Sequence, residues 1–177
     1  MISAPQRSES RRPRKANRRS GQALIEFALV AVMLMLMLFA IIDFSRIILV
    51  HEIMLNVSRE GANLVSRGTD MNVALNALVT SAQPLDINGH GCIILSSVFN
   101  SNGVLRVTGQ QKTTGVVQSS SHVGTTNTTA ILPNPNLPLP NQTLWVAEVF
   151  YVYVPVTPLG KLLGVTLPTT NYDAAYF

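Results

Sequence analysis

From Gln22 to Glu60 the chain contains neither glycine nor proline, so nothing in that stretch breaks a helix. Its first part is apolar almost without relief. Phe27 to Ile42 is sixteen residues with no polar side-chain atom other than the thioethers of Met33, Met35 and Met37. At the helical rise this covers about 24 Å, short of the roughly 30 Å of bilayer hydrocarbon. Counted from Gln22, the span reaches about 31 Å, which places Glu26 within or at the edge of the membrane. A carboxylate there is costly enough to be read as functional. A plain signal anchor with Glu26 at the interface is the alternative. A cleaved secretory signal fits poorly, because Leu38-Phe39-Ala40 is not an A-x-A-like site.

After Asp43 the pattern changes from uniformly apolar to amphipathic. Ile47, Val50, Met54, Val57, Gly61 and Leu64 recur every three or four residues, and Glu52, Asn56, Arg59, Glu60, Asn63 and Arg67 gather opposite them. This predicts one long helix with a lipid half and a packing half. Burying the stripe against a domain would hold so long a rod. Asp43 and Arg46, at i and i+3, can pair on one face where the membrane ends or simply mark that interface as two charges, and Gly68 is expected to end the helix.

Charge sharpens the membrane reading. Seven of the thirteen Lys and Arg lie in the first 19 residues, and after Gly21 there are six basic and eight acidic side chains. The net charge of +4 therefore belongs to a tail abutting an apolar run, the mark of a cytoplasmic flank under the positive-inside rule, and no nucleic-acid partner is expected. Charged residues make up only 12% of the chain, about half the share usual in soluble domains. The single cysteine, Cys92, excludes an internal disulfide and reads as a small buried hydrophobe.

Beyond the helix, Thr69-Asp70 is expected to cap a short second helix through Val79, closed by Pro84. Cys92–Phe99 and Val104–Thr108 read as strands, joined by a hairpin at Asn100-Ser101-Asn102-Gly103. Residues 113–140, rich in Ser, Thr, Asn, Gly and Pro, read as surface loop or edge. Leu144–Val154 is the strongest strand, with Trp145, Ala147, Val149, Tyr151 and Tyr153 on one face; both faces are substantially apolar, so it is expected to be central with one face on the long helix. The tail to Phe177 has no clear class. The fold expected is α+β, a long N-terminal helix on a small antiparallel sheet. The domain plan is a basic leader over 1–21, a transmembrane helix over 22–43, its amphipathic continuation over 44–68, and an extracytoplasmic domain over 69–177.

Catalytic chemistry finds little footing. His51, His90 and His122 lie far apart in different contexts, and no zinc helix motif or phosphate loop occurs. Pairing Cys92 with His90 would require an orienting group in defined geometry. The expectation is a protein that is not an enzyme, with no cofactor and no metal.

Three blocks in order carry a resemblance: Gly21-Gln22-Ala23-Leu24-Ile25-Glu26-Phe27-Ala28, then Asp43-Phe44-Ser45-Arg46, then Ser58-Arg59-Glu60-Gly61-Ala62. With the basic leader, the first is similar to the processing region of type IV pilin precursors. Together they resemble the TadE-like pseudopilins of tight-adherence pilus systems, and Pro155-Val156-Thr157-Pro158 looks like that family's end. The resemblance implies a type IV pilin-like fold and a prepilin peptidase that cuts between Gly21 and Gln22. It assigns subunit assembly to Glu26 and Phe27, the glutamate meeting the new N-terminal amine of a neighbouring subunit. It implies other pilin or pseudopilin subunits and the cytoplasmic membrane as partners. The chain is longer than the short major pilins and lacks room for the von Willebrand-type domain of TadG-like proteins, so a minor subunit is the expectation.

The expected placement is single-pass, with the N-terminus cytoplasmic, the C-terminal domain extracytoplasmic, and incorporation into a cell-surface pilus as one outcome. The alternative is an uncleaved, membrane-anchored binding module or adhesin using the 113–140 loop.

Overall fold

The computed structural model describes residues 18–134, 136–158 and 170–177, with the side chains of 18–20 left aside. Most of the expected basic leader, residues 1–17, lies outside the described residues, as do Pro135 and residues 159–169 of the tail. Helix α1 runs unbroken over Arg18–Ser66, 49 residues. The chain divides into two compact units, residues through Leu38 and Phe39–Phe177.

In the first unit, α1 is apolar on every side. Leu24, Ile25, Phe27, Leu29, Met33 and Met37 are all exposed, the condition of a helix whose solvent is lipid or other helices. Gly21–Ser66 contains a stretch long and apolar enough to cross a membrane, none of it buried within the chain.

The second unit is built on the rest of α1. Val50, Met54, Val57, Ala62 and Val65 are buried against Ile93, Leu95, Ala147 and Val149 of the sheet, with Ala74, Leu75 and Leu78 of α2 (Met71–Ser81) completing the cluster. The expected stripe is present, with Ile47 and Leu64 at its half-buried margins and Glu52, Asn56, Arg59, Glu60 and Arg67 exposed opposite. The helix stops in a Schellman arrangement. Gly68 takes φ +88°, the Thr69 N–H reaches the Leu64 carbonyl and the Gly68 N–H reaches that of Val65, a geometry that suits glycine. Asp70 then caps α2, accepting from Asn72 N at 2.9 Å and Val73 N at 3.3 Å.

The sheet contains β1 (Gly91–Ser101), β2 (Val104–Lys112), β3 (Thr143–Val152) and β4 (Thr170–Tyr176), in the order β2-β1-β3-β4 with every pair antiparallel. A two-residue turn joins β1 to β2, with Asn102 at φ 51° and Gly103 at φ 91°; positive φ at both centres is what a type I′ hairpin requires. Strand β3 is interior, and its Ala147 and Val149 face α1 as the alternation predicted.

Four features depart from the sequence reading. A short helix α3 (Ile87–His90) precedes β1. The tail forms β4, which the composition of Asn171, Asp173, Ala174 and Ala175 does not announce. Strand β3 ends at Val152, where its partners run out, Gly91 of β1 lying opposite Tyr151 and Thr170 of β4 opposite Val152; Tyr153 beyond it donates its hydroxyl to the Asp43 carbonyl at 3.3 Å. The 113–140 segment is only in part a surface loop. Val123 and Ala130 are buried with Val98, Val107 and Val146 on the sheet face away from α1.

Candidate assembly segment and helix anchorage

At the head of α1, Gly21 has open space where a side chain would be. One turn on, the Gln22 amide donates to Glu26 Oε1 at 3.0 Å, an exposed i,i+4 pair. The next residue, Phe27, is 72% exposed. Among the described residues, this carboxylate on a largely apolar stretch of helix has the neutral Gln22 amide as its one hydrogen-bond donor. In a low-dielectric surrounding that is incomplete solvation, and a cation supplied from outside would complete it.

Asp43 behaves differently. It is 4% exposed, and its Oδ1 accepts the backbone N–H groups of Val156 and Thr157, each at 3.2 Å. The Thr157 hydroxyl donates to Oδ2. The carboxylate thus closes the segment after β3 onto α1. No ion pair joins Asp43 to Arg46 among the described residues; the donors to the Asp43 carboxylate come from the loop. Arg46 instead lines a neighbouring cleft with Asp86, His90 and Tyr151. Burial first, and then the nearby Asp43 carboxylate, push the Tyr153 phenol above the usual tyrosine value.

Residues 21–63 match the family model described as TadE-like protein. Over these residues the chain is similar to TadE-like proteins. No curated protein and no solved structure matches the chain. The apolar stretch of α1 is long enough to cross a membrane.

The structure gives the TadE-like segment a physical reading. Its middle block contributes Asp43, the acceptor that fastens the 155–158 block. In its last block, a Cβ added to Gly61 would lie 2.9 Å from Leu78 Cδ1, 3.1 Å from Ala147 Cβ and 3.3 Å from Leu95 Cδ2; the missing side chain lets α1 approach the sheet. Ser58, three residues earlier, donates to the Asp173 carboxylate on β4. The middle and last blocks are therefore points where α1 is fixed to its domain.

A second buried carboxylate escaped the sequence reading. Glu148 on β3 is 0% exposed, accepting from His122 N at 2.8 Å, the Tyr172 hydroxyl at 3.1 Å and the Ser121 hydroxyl. It pins the 113–140 segment and β4 to the sheet. A lone acid inside the apolar run Leu144–Val154 was the available signal. Cys92 is buried with Ile94 and Phe150, while His90 lies at the cleft beside α1. Among the described residues no group of three or more His, Cys, Asp or Glu is placed to hold a metal ion.

Proposed function

We propose that this chain is a minor pilin-like subunit, anchored in the cytoplasmic membrane by α1, cut by a prepilin peptidase between Gly21 and Gln22, and supporting initiation or assembly of a tight-adherence pilus. The observation that carries this is the TadE-like match over residues 21–63, a segment that includes Gly21, Glu26 and the anchoring Asp43. Local geometry supports it. Gly21 leaves its backbone open, and a glycine weakens the helix by roughly 0.5–1 kcal/mol relative to alanine, which eases the opening a peptidase needs. Glu26 and Phe27 are exposed for a neighbouring subunit, where the carboxylate would meet an N-terminal amine. The subunit acts by packing and docking rather than by turnover, and Cys92, sealed in the sheet, is no nucleophile in this reading.

Intact mass and N-terminal sequencing of the membrane-extracted protein test it. The expected mature chain begins at Gln22. A chain that keeps its basic leader in cells with an active prepilin peptidase would overturn the processing step.

A further inference from the structure

In the second unit, the apolar surface of α1 does not stop at Asp43. Ile41, Ile42, Phe44, Ile48 and Leu49 remain exposed on the helix, and Val154 and Val156 are exposed on the segment that Asp43 holds. Such a collar around the exit from a membrane span has the composition of a surface resting in lipid. Beside it opens a cleft of ≈ 380 Å³, lined among others by Arg46, Asp86, His90, Tyr151, Tyr153 and Val156.

The cleft's charges are of both signs. Arg46 makes no ion pair among the described residues. The Asp86 carboxylate caps α3 through Gly89 N at 2.9 Å and faces His90 at 3.7 Å, with its side chain 64% exposed. Tyr151 lies between these influences: burial first, then Asp86, raise its phenol, and Arg46 opposes them. A guanidinium suits a phosphate oxygen pair, a carboxylate suits an ammonium with N–H donors, and tyrosine rings suit the boundary between apolar and wet.

We propose that this cleft holds the zwitterionic phosphoethanolamine headgroup of a membrane phospholipid, with Arg46 on the phosphate, Asp86 on the ammonium and the collar on the acyl chains. A choline headgroup has no N–H to give Asp86, and a glycerol headgroup has no cation. The proposal rests on the reading of α1 as membrane-embedded.

Native mass spectrometry of the full chain, released from detergent micelles supplemented in turn with phosphatidylethanolamine, phosphatidylcholine and phosphatidylglycerol, tests it. One phosphatidylethanolamine should be retained with about tenfold preference, the scale of a single charge-assisted bond. Arg46→Gln should lower phosphatidylethanolamine retention about tenfold, because the phosphate loses its charged partner, and Asp86→Asn, which keeps the α3 cap, should make ethanolamine and choline lipids equivalent. Equal retention of the three lipids, stronger retention of phosphatidylglycerol, or unchanged phosphatidylethanolamine retention in Arg46→Gln would overturn it. Carbonate extraction separates the two layers of the argument. Release of the chain from membranes defeats the span itself, whereas a retained chain without lipid preference defeats only the headgroup site.

Discussion

Asp43 Oδ1 receives two backbone N–H groups from the segment after β3, and one of them belongs to Thr157, whose hydroxyl takes the other carboxylate oxygen. An acid on α1 thus acts as a cap for a loop more than a hundred residues later in the chain. Replacing it with alanine leaves those N–H groups without their acceptor, at a cost of about 1–3 kcal/mol. Denaturant melts of the detergent-solubilised protein should show the loss for Asp43→Ala. In a double-mutant cycle, Thr157→Val should add less to Asp43→Ala than it costs alone.

Gly61 supplies the second fixing point. Alanine there gains helix propensity of about 1 kcal/mol while its methyl displaces the end of Leu78 and crowds Ala147 and Leu95, so the two effects nearly cancel. Valine adds branches to a Cβ that is already crowded, and Gly61→Val should destabilise by about 1–3 kcal/mol. A thermal melt that ranks valine equal to wild type would refute the close approach.

The buried Glu148 predicts a local effect. Glu148→Ala should raise hydrogen exchange at residues 121–124 and in β4 before it does so in β1, because the lost acceptor served Ser121, His122 and Tyr172. Uniform acceleration across the sheet would contradict this local role.

Alkaline pH should loosen the same region. Tyr172 and Tyr176 are held above the usual phenol value, by burial first and then by the charge of Glu148. A raised folded-state value means that the native state keeps its protons longer than the unfolded chain. The associated stability is complete below about pH 10 and is lost as pH rises beyond it. Melting temperatures followed from pH 8 to 11.5 should fall, and Tyr172→Phe should flatten the decline.

Glu26 should separate processing from assembly. Glu26→Ala is expected to leave cleavage after Gly21 largely intact while reducing piliation or recovery of partner subunits. Normal piliation in that mutant, measured by electron microscopy and immunoblot of sheared fibres, would remove the carboxylate from the assembly step.

Much of the architecture is local in origin and therefore readable without coordinates. The breaker-free run from Gln22 to Glu60, the switch from uniform to one-sided apolarity at Asp43, the stop at Gly68, the Asp70 cap and the Asn102-Gly103 turn each depend on neighbours within a few residues. The sequence by itself thus determined the long helix, its buried stripe, α2 and the hairpin. The tertiary structure decided what depends on distant partners. Strand β4 arises from pairing with β3 and from Ser58 meeting Asp173, not from β-propensity. Asp43 has a near neighbour in Arg46 yet bonds to Val156 and Thr157, and the polar 113–140 segment is drawn onto the sheet by Val123, Ala130 and Glu148. In each case the deciding force is the demand of a buried polar or apolar group for a partner that only the folded chain brings within reach.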